Sequence, residues 1–198
     1  MKSVEKRKSS ALMLFVAVTV VTAAVMILPI VYFIPRVIME IARYRLTGVE
    51  TVTDQGRAPM NRVSHTHRTP TAKKEDRVIV RMNVDTFYSS GWFNLKNGPV
   101  IIHVPATDGR YYSLQFNDAY TNAFAFIGKR TTGSGEGYFA LTGPGWKGEL
   151  PSGVKRIDAP TNLVWMIGRT MFYGKEDIEY VKQLQSGITF TSLDKFKI

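Results

Sequence analysis

No charged side chain interrupts residues 11–34, ALMLFVAVTVVTAAVMILPIVYFI. At about 1.5 Å per helical residue the run reaches about 36 Å, enough to cross a hydrocarbon core of about 30 Å with some tilt. A water-soluble domain rarely keeps such a stretch unbroken. The expectation is therefore a transmembrane helix over 11–34. That places the chain without naming any chemistry.

Lys2, Lys6, Arg7 and Lys8 precede the run, with Glu5 the one acid. Cytoplasmic flanks are enriched in Lys and Arg, so residues 1–10 are expected to stay inside and the C-terminal part to be periplasmic or extracellular. Arg36, Arg43 and Arg45 follow closely and weaken that bias. A cleaved signal peptide has a shorter apolar region closed by a small-residue site. Neither feature is present, so the reading is an uncleaved, single-pass signal anchor. Pro29 and Pro35 lack an N–H and are expected to kink or end the helix. Val37, Ile38, Ile41 and Leu46 then predict a juxtamembrane helix, with Tyr32 and Tyr44 at headgroup level. Residues 50–77 are polar and turn-rich, and read as a loosely packed tether.

The net charge of +10 raises the question of nucleic acid. Its distribution answers against it. Residues 1–10 carry +3, residues 36–77 carry +4 and residues 78–198 only +3. The excess flanks the apolar run, where anionic headgroups attract it, and no basic stripe marks the rest. Cysteine is absent, which removes thiolate nucleophiles, thiolate metal sites and redox pairs.

From residue 78 the texture changes. Val78, Val80, Met82, Val84 and Thr86 alternate with more polar neighbours, a strand signal over 78–87. Further β-like runs are Pro99–Val104, Arg110–Phe116, Ala123–Ile127, Gly137–Thr142 and Leu163–Phe172. Gly/Pro/Asn turns separate them at spacings near ten residues. The pattern predicts a mainly β, antiparallel sandwich over 78–198. Ile178, Val181 and Leu184 predict one short C-terminal helix, with Glu176 and Asp177 in its first turn and Gly187 as its cap.

Motifs for chemistry are sparse. His65 and His67 share a face if extended and, with His103, offer three imidazoles to a metal. A polar loop and an apolar strand are the competing contexts, so no metal or other cofactor is assigned. Ser89 and Ser90 have no sequence-near histidine and no Gly-x-Ser-x-Gly elbow. Gly133–Gly137 matches no phosphate-cradle spacing and reads as a hairpin turn. Trp92, Trp146 and Trp165 read as packing groups. The candidate set is Asn83, Asp85, Tyr88, Asp118, Tyr120, Asn122, Arg130 and Arg169, polar residues within strand-like apolar sequence. Buried charge must be paired, so they imply an Asp–Arg network bracing loops or a lined pocket. Asp118 in particular is expected to hold a buried cation.

The order Asn83-x-Asp85-Thr86-x-Tyr88-Ser89, Gly98-Pro99-Val100, Gly109-Arg110-Tyr111-Tyr112, Asp118-Ala119-Tyr120-Thr121-Asn122, Gly128-x-Arg130-Thr131-Thr132-Gly133 and Gly143-Pro144-Gly145-Trp146-x-Gly148 is distinctive. Pro160-Thr161, Gly168-Arg169-Thr170, Asp177 and Gln185 complete it. This pattern, over about Asn61 to Leu193, resembles the domain of unknown function 1254 family. Met82 and Asn94-Leu95 depart from the usual proline and Asp-Leu. The resemblance implies an antiparallel β-sandwich, in many relatives fused to a second β domain of unknown function 1214. Shorter relatives pair with that domain as a separate chain. The expected partners are thus the lipid bilayer and a companion chain carrying a 1214-type domain. The functional reading is a non-catalytic cell-envelope module binding a companion chain or small ligand. The alternatives are a hydrolase built on Asp85, Asp118, Tyr88, Tyr120, Arg130 and Arg169, and a subunit of a larger membrane assembly.

Overall fold

The structure, a computed structural model, describes the backbone of residues 2–67 and 83–197, and side chains from Leu12 onward within those ranges. The chain divides into two compact units, Met1–Ile41 and Ala42–Ile198.

Helix α1 (Lys2–Thr47) is 46 residues long. Its Leu12–Thr47 stretch is long and apolar enough to cross a membrane. Pro29 and Pro35 lie inside it and do not end it. Each forfeits one backbone hydrogen bond to the residue four earlier, a local loss that the flanking turns carry. The juxtamembrane residues therefore continue the same helix. It stops at Gly48, whose N–H donates to the Tyr44 carbonyl at 2.8 Å.

The second unit is a sandwich. One sheet has five strands in the order β1 (Val63–His65), β2 (Thr86–Asn94), β8 (Leu163–Met171), β4 (Tyr112–Asn117) and β5 (Ala123–Gly128). The other has the order β7 (Val154–Asp158), β6 (Gly137–Thr142), β3 (Val100–Val104) and β9 (Thr189–Ser192). All pairings are antiparallel except β6–β7, which is parallel, so the sandwich is mixed. Alternate residues turn inward to form the core. Phe93, Leu114, Phe116, Val164 and Met166 of the first sheet meet Ile102, Val104, Phe139 and Leu141 of the second, all 4% exposed or less. Each such side chain contributes roughly 1.5–3 kcal/mol by leaving water.

Three expectations are corrected. Residues 78–82 of the expected first strand lie outside the described residues. Asn83–Asp85 form a turn, closed by the Asp85 N–H on Asn83 Oδ1 at 2.7 Å, and β2 begins only at Thr86. The stretch read as a loose tether is fastened where it is described. β1 pairs with β2, Asn61 Oδ1 accepts the Asn94 N–H at 2.8 Å, and the Ala58 N–H donates to Leu46. The Gly133–Gly137 stretch is no hairpin, because β5 and β6 belong to different sheets. It carries the chain across the sandwich.

Helix α2 (Ile178–Gly187) buries Val181, Leu184 and Gln185. Gly187 is its last residue rather than a left-handed cap. A Cβ there would meet Pro105 at 3.1 Å, so the glycine admits a close neighbour.

Candidate functional site

The eight residues singled out do not gather at one place. Strand register separates them. Asp118, Tyr120 and Asn122 follow Asn117, which pairs with Trp165, at one end of the five-stranded sheet. Tyr88 pairs with Arg169, and Arg169 with Ser113, toward the other end. Asp85 is exposed just before that end, and Asn83 shapes its turn.

Among the described residues Asp118 holds no cation. It is 6% exposed, and its carboxylate accepts the Tyr120 N–H at 2.8 Å, the Asn122 N–H at 2.9 Å and the Asn122 Nδ2–H at 3.1 Å. Thr121 between them has φ +68, a strained left-handed position that these bonds hold. The carboxylate thus builds the β4–β5 turn. Asp118→Ala is expected to cost about 2 kcal/mol, the price of three orphaned donors partly rescued by water, and Asp118→Asn less. Chemical denaturation of the two variants measures the difference.

The Asp–Arg brace exists elsewhere, between residues not in the candidate set. Arg110 grips Asp177 through two bonds of 2.6 and 2.8 Å and donates to the Met171 carbonyl at 2.9 Å. Its guanidinium lies 4.7 Å from the ring centres of both Tyr173 and Tyr180. Arg110 holds the Asp177 carboxyl below its ordinary range. Both residues stood in the family pattern; 67 positions apart, nothing in the sequence paired them.

Ser89 does have a histidine, in space. Its Oγ is 2.8 Å from His65 Nδ1, and Gln185 Nε2 donates to it at 3.1 Å. Burial, then the charge of His67, lowers the His65 pKa to about 4, so the ring is neutral; in the tautomer with the proton on Nε2, Nδ1 accepts from the serine hydroxyl. This is the bond of a nucleophile and its base. The setting is wrong for attack. Ser89 is 2% exposed, lies under α2, and abuts Gly168, where an added Cβ would stand 2.8 Å from the Ser89 Cβ. An acyl group has no approach to Oγ, so the trio ties β1, β2 and α2 together.

His103 lies in the other sheet from His65. Its nitrogens face the Gly187 carbonyl at 3.1 Å and the Glu136 carboxylate at 2.8 Å. The three histidines do not meet. Among the described residues no group of three or more His, Cys, Asp or Glu is arranged for a metal.

Most of the pattern is scaffold. Thr131 and Thr132 fold back on β5: Gly128 accepts both their N–H groups, and Thr131 Oγ1 donates to the Phe126 carbonyl at 3.0 Å. The outer edge of the sheet is thereby blunted. Thr161 Oγ1 accepts the Ala119 N–H at 3.0 Å. What remains is one face. Tyr88, Arg169, Ser113 and Gly128 lie side by side across the outer surface of the five-stranded sheet, with Ile167, Trp165 and Phe126 in the rows beside them. Trp92 and Trp165 stack there at 5.6 Å.

These features define a mixed β-sandwich unit following one long apolar helix. The chain belongs to the family described as "Protein of unknown function (DUF1254)", whose model matches residues 60–192. The crystal structure of VPA0106 from Vibrio parahaemolyticus is similar at 31% identity and a TM-score of 0.55, over 58% of this chain and 29% of that one. This chain therefore spans less than a third of the Vibrio protein. A putative uncharacterized protein from Burkholderia cenocepacia matches at 12% identity and a TM-score of 0.40, over 66% of this chain and 36% of that one. No curated protein is significantly similar.

Proposed function

We propose that the chain is a single-pass, membrane-anchored binding module of the cell envelope that docks a companion chain rather than catalysing a reaction. In this reading α1 stays in the bilayer as an uncleaved anchor, with residues 1–10 cytoplasmic and the sandwich on the opposite side. The companion carries a 1214-type β domain, as the family resemblance implies. One observation carries the reading. The outer face of the five-stranded sheet carries Phe126, 44% exposed, and half-buried Trp165 and Ile167, with Gln115 between Ile167 and Phe126. Partly exposed apolar side chains sharing one sheet face with polar neighbours are what a protein partner covers.

The hydrolase alternative needs Asp85, Asp118 and Arg130 around one cleft, and register sets Asp118 at the opposite end of the sheet from the other two. The docking reading is tested by copurification from native membranes. Wild-type chain is expected to bring down one companion, and Ile167→Lys to lose it more than tenfold with an unchanged melting temperature. Recovery of a monodisperse single chain from wild-type membranes would overturn the reading.

A further inference from the structure

A small cleft of about 210 Å³ opens at one end of that outer face, lined by Tyr111, Ser113, Phe126, Gly128, Arg130 and Thr131 among others. Ser113 sits between Gly128 on β5 and Arg169 on β8 in the strand register. Arg130 lines the cleft and Arg169 stands beside it on β8, next to Ser113 in the register. A Cβ on Gly128 would lie 2.6 Å from the Tyr112 carbonyl, so this part of the floor stays bare.

The donors here are uncommitted. Arg130 and Arg169 are exposed. Among the described residues their contacts are with aromatic rings: Arg130 lies 5.9 Å from Tyr111 and Arg169 5.6 Å from Tyr88. Neither makes an ion pair or hydrogen bond there, and Ser113 Oγ has no partner. Among the described residues no carboxylate lines the cleft. Exposed arginines change rotamer in picoseconds to nanoseconds, and Arg169 starts one strand away, about 5 Å, from Ser113. A site offering donors from two guanidinium forks and a hydroxyl, and no negative charge, is built for an oxyanion. Phe126 and the ring of Tyr111 add an apolar wall. Pockets for drug-sized ligands run to roughly 300–1,000 Å³, so this one admits a group of about benzoate size.

We infer that this cleft binds a small organic carboxylate, its oxygens between Arg130, Arg169 and Ser113 and its apolar body against Phe126. The inference rests on the chain being a binding module, and it does not depend on the companion. It is tested on the full chain in detergent by calorimetry, with benzoate, neutral benzamide and inorganic phosphate as probes. Benzoate is expected to bind saturably and benzamide at least tenfold more weakly. Arg130→Gln and Arg169→Gln are each expected to weaken benzoate at least tenfold without moving the melting temperature, since a charge-assisted bond is worth that much. Absent benzoate binding, equal binding of benzamide, or indifference to both substitutions would overturn it. Phosphate binding in preference to benzoate would also overturn it. If the companion still copurifies while benzoate fails, the carboxylate site falls alone; if benzoate binds and no companion appears, the docking reading falls alone.

Discussion

Asp177→Ala is expected to lower stability by about 3 kcal/mol, the lower end of what breaking a buried ion pair costs. The drop in melting temperature is then roughly 6–12 °C for a domain of this size. Arg110 and Asp177 are 11% and 17% exposed, so water reaches neither side chain freely. The alanine leaves a guanidinium between two tyrosines with one carbonyl for company. It also frees the Tyr173 N–H, which donates to Asp177 Oδ2 at 2.8 Å. Asp177→Asn keeps an acceptor and is expected to lose less. Arg110→Met with Asp177→Leu removes both charges and is expected to be more stable than Asp177→Ala alone, because no charge is stranded. Denaturant midpoints of the single and double variants check the order. An Asp177→Ala midpoint equal to wild type would show that the clasp carries no stability.

Acidification from pH 6.5 to 4 is expected to cost up to about 3 kcal/mol through His65 alone. The sign follows from the proton count. His65 has a folded pKa of about 4 against an ordinary 6.5. Between those values the unfolded chain takes up the proton and the folded chain refuses it, so stability falls as pH falls. Above pH 6.5 both states are neutral there and the dependence vanishes. His67 is lowered as well, chiefly by burial, and adds in the same direction. The clasp does not contribute in this window. Asp177 is held below its ordinary value of 3.8, so its share of stability is lost only at lower pH. Melting curves across pH 4–7 of wild type and His65→Asn check this. The wild-type slope is expected to flatten in the variant.

The strands legible in the sequence were those with apolar alternation and clear turns, namely β3, β4, β5, β6 and β8. β2 was legible only at Thr86 and Phe87, because Ser89-Ser90-Gly91 carries no apolar alternation. Gly91 is there for packing: a Cβ would press Val63 at 2.8 Å, so the glycine lets β1 lie alongside. β7 is short, charged and largely exposed, so it offers no apolar alternation to read. In the candidate set, Tyr88, Arg169 and Arg130 lie on or beside one face, and nothing in the sequence set them apart from the other five. Asp85 and Asp118 were not separable from acid/base residues. An aspartate that binds backbone N–H groups a few residues on has the same composition around it as one that serves a substrate. Arg110–Asp177 and Ser89–His65 are long-range pairs, and no local pattern encodes them.

The docking of a companion on the outer sheet face is tested most directly by a photoreactive residue at position 167, activated in intact membranes. One discrete crosslinked chain from 167, and none from position 155 on the exposed β7, is the result expected. Equal crosslinking from both positions, or none from 167, would contradict the account.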